Sequence, residues 1–337
     1  MSSEGRSGYR VPAPAAADLV AWPEAFGTRF TVMVDTEEEF DWRAPLSSTN
    51  RSVETIVALP ETHRRFGDSG VPLTYLVDHP VATDPAAMEI LRRLVEDGRS
   101  AVGTQLHPWV NPPLDEEMIP ANTFVGNLPP ALEATKLDVL TDAITQGIGV
   151  APRIYRAGRY GIGPATLALL ADRGYRIDSS MRSAYDYSPE AGPDFSSIPN
   201  HAFRCGPGRA IVELPLTTVF TGAARSGGVG LYRALGRIPK GRGVFAHTHL
   251  MSRVALTPED MPLADALRAI AVAVGEGARV LNFAFHSPSL VPGHTPYVRD
   301  AADLAAFHHW WDVVLADLAR RGVRAASLDD LIAASAG

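Results

Sequence analysis

The chain has 337 residues, 46% of them hydrophobic and 20% charged, with a formal net charge of −7 and one cysteine, Cys205. This is the composition of a soluble globular protein with one large core or two modest ones. It argues against a nucleic-acid partner, which favours a basic stripe, and one cysteine excludes an intrachain disulfide framework, as suits a reducing, cytoplasmic setting.

In chain order, the first seventeen residues are mostly Ser, Gly, Pro and Ala, without the apolar core of a signal peptide, and no later run is long enough to span a bilayer. Residues 1–24 read as a flexible lead-in and 25–337 as a single domain. The run 30–34 reads as a buried strand and ends in Asp35-Thr36-Glu37-Glu38-Glu39-Phe40-Asp41-Trp42. Five acids in seven residues repel one another unless a cation, a proton or solvent relieves them. Following a buried strand directly, they point to a metal-binding or general-base carboxylate at Asp35, with Glu37 on the same side of an extended chain.

Helical spacing over 53–66, closed by Gly67 and Gly70, precedes a strand at 71–77 that ends in Asp78-His79-Pro80. Asp84 caps a helix over 85–96, and a third strand, 101–106, finishes at His107. The Pro/Asn-rich stretch 108–130 is long enough to face a substrate. Next come a helix at 132–148, a strand at 153–157 ending in Gly158-Arg159-Tyr160, a helix at 164–173 and a strand at 175–177 followed by Asp178. After a loop over 181–209, strands are predicted at 210–214, 244–249 and 280–285, helices at 260–274 and 303–319, and a last strand and short helix from 323 onward.

Repeated strand–helix alternation predicts a parallel sheet, and seven or eight such units predict a closed barrel. In such a barrel Asp35, Asp78, His79, His107, Arg156, Arg159, Asp178, Glu213, His247, His249 and His286 gather at one mouth. His247 and His249, two apart on a strand, would share a face, as a metal pair or as surface histidines. His286, at the end of an apolar strand and near carboxylates, suits a general acid that titrates near neutrality.

Five motifs, VDTEEEFDW (34–42), GTQLHPW (103–109), YRAGRYG (155–161), IDSS (177–180) and NFAFHSPSL (282–290), occur in an order and spacing that resembles the polysaccharide deacetylases of the NodB-homology group, in their divergent branch with a VDTEE-type first motif. The resemblance covers most of the chain. It implies a distorted (β/α) barrel of about seven parallel strands and a divalent metal, usually zinc, that activates water against an acyl group, N-acetyl above all, on a sugar or glycan precursor. It also implies Asp35 as catalytic base, Arg156 as the arginine that orients it, and His286 as the acid for the leaving amine. Where the family has two adjacent aspartates, this chain has Asp35-Thr36. Where it has two metal-binding histidines four apart, this chain has Gln105 and Trp109 with His107 between them. Glu37 and His107 are then the expected metal ligands, and Trp42, Trp109 and Tyr160 suit either stacking on a carbohydrate ring or packing around the mouth. Two alternatives stay open: a metal-independent hydrolase of a small C–N amide, and an inactive barrel that binds carbohydrate or a protein partner.

Overall fold

The computed structural model describes residues 8–336. The strands among them are β1 (Arg29–Thr36), β2 (Leu73–Val77), β3 (Ala101–Leu106), β4 (Ile154–Ala157), β5 (Ile177–Asp178), β6 (Phe203–Cys205), β7 (Ile211–Glu213), β8 (Thr218–Thr221), β9 (Ser252–Ala255), β10 (Val280–His286) and β11 (Arg324–Ala325). The α-helices are α1 (Leu59–Asp68), α2 (His79–Thr83), α3 (Pro85–Leu94), α4 (Pro130–Ile148), α5 (Thr166–Asp172), α6 (Gly228–Gly236), α7 (Gly241–His247), α8 (Leu263–Gly275), α9 (Ala301–Arg320) and α10 (Leu328–Ser335). None is long and apolar enough to cross a membrane.

Seven strands run parallel in the order β10-β1-β2-β3-β4-β5-β7, with β6 antiparallel at the edge and β11 added to β1. They curl into a half-barrel, the distorted (β/α) barrel that the motif resemblance implies rather than the closed barrel that the alternation predicts. No ladder joins β7 to β10 among the described residues. Thr217 and Leu256 span that seam instead: Thr217 N–H donates to Asn282 O, Leu256 N–H to Thr217 O, and Ala284 N–H to Leu256 O.

Alternation along each strand sorts side chains into two cores. One face, with Val32, Val34, Tyr75, Val77, Phe283 and Phe285, packs under the helices. The other fills the barrel with Met33, Leu76, Ile154, Ile177, Val212 and Ala284. Gly103 makes that filling possible, because a Cβ there would lie 2.4 Å from Ile154 Cγ2 and 2.8 Å from Leu76 Cδ2. One step further along the inward-facing rows stand Asp35 after Met33, Arg156 after Ile154, Gln105 after Gly103 and His286 after Ala284. The parallel register sets Asp35 beside His286 and Gln105 beside Arg156. An apolar plug under a polar rim thus follows from strand periodicity alone.

Two further expectations are corrected. The stretch 244–249 is not a strand. Residues Gly241–His247 form α7, inside an excursion between β8 and β9 that pair with each other antiparallel. A short apolar run flanked by glycines and polar residues carries no period that separates helix from strand, and here Val244 is left exposed. His247 ends the helix, and His249 sits in a turn at φ 54°. Both are exposed, neither lines the central cavity, and the shared strand face that their spacing implied is absent. The second correction concerns the lead-in. Its residues 1–7 lie outside the described ones, but Val11 is buried and bonded to Asp194 O, Leu19 bridges to Phe203, and Trp22 stacks on Phe26 at 4.8 Å. The Pro- and Ala-rich composition hides these few apolar anchors.

Candidate active site

At the C-terminal mouth of the barrel lies a cavity of about 560 Å³ whose wall includes Asp35, Glu37, Gln105, His107, Arg156 and His286. Asp35 is buried at the end of β1. Its Oδ1 accepts from Arg156 Nη1 at 2.5 Å, and its Oδ2 stands 3.6 Å from His286 Nε2. Arg156 is fixed in turn: Nε donates to Ser179 O at 3.0 Å, and Nη2 to Ser179 Oγ at 3.1 Å. The guanidinium thus sets a fixed positive charge against one oxygen of the buried carboxylate.

His286 is oriented by Glu259, a residue the sequence reading passed over as the approach to a helix. Glu259 Oε2 takes the Nδ1 side of the ring at 2.7 Å, while Oε1 accepts His286 N–H at 3.1 Å and Ser289 Oγ–H at 2.5 Å. Burial works against a charged imidazole here, but Glu259, Glu37 and Asp35 outweigh it and raise His286 to about 10. The ring therefore carries a proton at neutral pH, with Nε2 turned toward Asp35 and the cavity. No sequence signal marked Glu259, because β9, the strand it follows by a few residues, does not stand out in the sequence.

The acidic run after β1 divides between two surroundings. Glu37 faces the cavity, 3.2 Å from Gln105 Nε2 and 3.5 Å from His107 Nε2. Burial raises its carboxyl to about 8, opposed by His286 and His107. Its Oε1 and the Oε1 of Gln105 are buried without a hydrogen-bond partner. Glu38 turns the other way. Its two oxygens take Trp109 Nε1 at 2.6 Å and the Nδ1 side of His107 at 2.7 Å, and its N–H donates to Asp78 Oδ2 at 2.7 Å. Burial raises Glu38 to about 7 and Asp78 well above the usual carboxylate range. The His107 ring is pressed in place by Gly158, where a Cβ would meet its Cδ2 at 2.3 Å.

Glu38, Asp78 and His107 have potential ligand atoms within 4.8 Å of one another and could hold a metal ion. The zinc centre implied by the motifs is a different matter. Thr36 spends its hydroxyl on Val34 O, Trp109 gives its N–H to Glu38, and Gln105 offers only an amide. Zinc favours imidazole and thiolate. The one histidine left has Nδ1 on Glu38 and Nε2 toward Glu37. The residues in the motif positions therefore do not fit a catalytic zinc site. The expected pair Glu37 and His107 does meet at the cavity wall.

Of the three aromatic residues expected to bind substrate, Trp109 is 1% exposed, stacks at 4.3 Å on His107 and forms part of the cavity wall. Trp42 is half-buried and sits edge-on to His286 at 5.1 Å. Tyr160 is half-buried and stacks with Tyr187 at 5.8 Å. Arg159 and Tyr160 both adopt left-handed backbone, at φ 53° and 59°. Such strain costs on the order of 1–3 kcal/mol per residue and collects at functional sites.

No family model matches the sequence, and no curated protein matches it. Among solved structures, a candidate polysaccharide deacetylase from Mycobacterium smegmatis superposes with a TM-score of 0.55 at 17% identity, over 95% of this chain and 94% of that one. An allantoinase gives 0.48 at 16% identity, over 91% and 92%. A chitin deacetylase from the fungal pathogen Colletotrichum lindemuthianum gives 0.32 at 18%, over 54% and 69%. The first of these carries the comparison: nearly the whole chain adopts the polysaccharide-deacetylase fold.

Proposed function

We propose that this chain, folded as a polysaccharide deacetylase is, hydrolyses an N-acyl bond on an amino sugar or glycan precursor. The observation that carries the reading is one constellation. A carboxylate paired with a buried arginine and a protonated histidine held by a second carboxylate stand 3.6 Å apart at a cavity mouth. Amide hydrolysis needs both functions at once. A base must take a proton from attacking water, and an acid must protonate a nitrogen that leaves only as an amine.

Asp35, held in place by its contact with Arg156, takes the water proton. His286 gives its Nε2 proton to the leaving nitrogen as the tetrahedral intermediate collapses, and Glu259 keeps the ring charged and aimed. The reaction leaves Asp35 protonated and His286 neutral. Their 3.6 Å separation lets the proton return directly and reset the pair. Glu37, protonated near neutrality and with Oε1 unpartnered, lines the wall where the acyl oxygen would lie and can donate to it. No step is routed through a metal. His107 serves with Glu38 and Asp78 as a hydrogen-bonded support behind Glu37.

A cavity of about 560 Å³ is ample for a monosaccharide and its acyl group. A small C–N amide is the second reading, and the same catalytic groups would serve it. The experiment is to incubate the purified protein with N-acetylated amino sugars and, separately, with small cyclic and linear amides, following release of primary amine. Release from the sugars alone supports the first reading, release from the amides alone supports the second, and release from neither in a folded protein rejects both.

A further inference from the structure

Three arginines line the cavity, and two of them are neutralised: Arg156 by Asp35, and Arg159 by Glu190 at 2.6 Å. Arg182 is not. Among the described residues no carboxylate pairs with it; Nη1 donates to Tyr187 Oη at 3.3 Å, and Nε is buried with no partner. Its guanidinium instead lies 3.8 Å from the ring centre of Tyr185 and 5.6 Å from that of Tyr160. Ring faces partly compensate a desolvated cation but do not use its N–H groups. A half-buried guanidinium with spare donors beside a cavity calls for an anion. The rings leave its N–H donors unused, and a planar donor fork of this kind matches the two oxygens of a carboxylate. Arg182 also lines a smaller hollow of about 190 Å³ next to His286, which leaves room for a substituent beside the reacting group.

We propose that Arg182, with Tyr187, forms a subsite for a carboxylate on the substrate, so that the acylated sugar is an acidic one. The inference rests on the N-acyl hydrolase reading for the site as a whole. Arg253, also without an ion pair among the described residues, lies over the same Tyr185 ring but lines neither hollow; the one unpaired guanidinium on the cavity wall suits a monoanionic carboxylate better than a phosphate dianion, which draws on several cations.

The test is calorimetric titration of the full chain with N-acetylglucosamine, its C6 uronic acid, N-acetylmuramic acid and N-acetylglucosamine 6-phosphate, with acetate release measured in parallel. At least one of the two carboxylates should bind about tenfold or more tightly than the neutral parent, the usual scale of a charge-assisted hydrogen bond. Arg182→Gln should bring acid and parent within about twofold while leaving the parent's affinity in place. Should that variant fail to fold, Arg182→Lys, which keeps charge but loses the planar fork, should still lower the acid-to-parent ratio several-fold. Equal binding of acids and parent, no binding of any of the four, a preference unchanged in either folded variant, or tightest binding of the phosphate would overturn the subsite. Acetate release from all sugars alike, without preference, would remove the subsite and keep the hydrolase. Tight acid binding through Arg182 without release would do the reverse.

Discussion

Glu259 decides what His286 can do. Its carboxylate holds the imidazole charged, with the value raised to about 10. Turnover needs both the acid form of His286 and the protonated Glu37 carboxyl, so activity should fall first as pH rises through about 8 and again toward 10, the upper step being set by His286. Glu259→Gln removes the charge and keeps the shape, so the upper step of the pH–rate profile should move down by a unit or more. A step that stays in place would mean that something other than His286 sets it. The linked stability runs the same way. A base raised above its ordinary 6.5 stabilises the fold most fully below that value and loses the contribution as pH climbs through about 10. Glu37 separates the two accounts of the acidic run. As a protonated donor it is mimicked by an amide, so Glu37→Gln should keep activity within about tenfold of wild type while Glu37→Ala loses about 10²-fold, the size of one oxyanion donor. If Glu37 instead binds a catalytic metal, the Gln variant should be as damaged as the Ala variant and its metal content should drop, which elemental analysis of both proteins would reveal. At this scale Asp35, Arg156 and His286 were readable from sequence because each ends a recognisable strand and carries a motif. Glu259 was not, since it meets His286 only through the packing of the chain after β9 against β10. Arg182 was hidden for the same reason, in a loop with no period to read.

At the scale of elements, β5 and β7 end in facing carboxyls, Asp178 and Glu213, in parallel register. Burial raises both, Asp178 to about 6 and Glu213 further, with the neighbouring acid adding to Glu213. Burial and mutual repulsion thus favour a protonated carboxyl within the pair. Acids whose values rise on folding stabilise most fully below the unfolded carboxylate range, and the contribution is lost as pH rises through about 6 and beyond. Urea midpoints should accordingly fall as pH rises from the ordinary carboxylate range through about 6 and beyond. Glu213→Gln, which supplies an N–H where the proton was, should flatten that slope; an unchanged slope would assign it to other groups. The α3 cap is a simpler case. Asp84 accepts from Ala87 N–H at 2.8 Å, and Asp84→Ala should cost about 1 kcal/mol in thermal or urea unfolding. The strands of the barrel were legible because they are buried on both faces and read as continuous apolar runs. The β8–β9 hairpin and α7 were not, because their short apolar runs are stabilised by tertiary contact rather than by their own period.

For the whole molecule, the parallel register ties these scales together. Seven strands of similar phase bring the rim residues to one mouth, and the apolar plug below them keeps water from approaching from beneath. The fold was legible from alternation because strand–helix repetition admits few topologies. The seam at Thr217 and Leu256 was not, since it is made of single hydrogen bonds outside any strand. The account as a whole stands on Asp35 and His286 acting together on an amide. Asp35→Asn keeps the Arg156 contact in shape and removes the proton acceptor. The most direct measurement is amine release from the best N-acyl amino-sugar substrate by wild type and by a folded Asp35→Asn variant at equal concentration. Turnover should fall about 10²-fold or more in the variant. Turnover within a few-fold of wild type would contradict it.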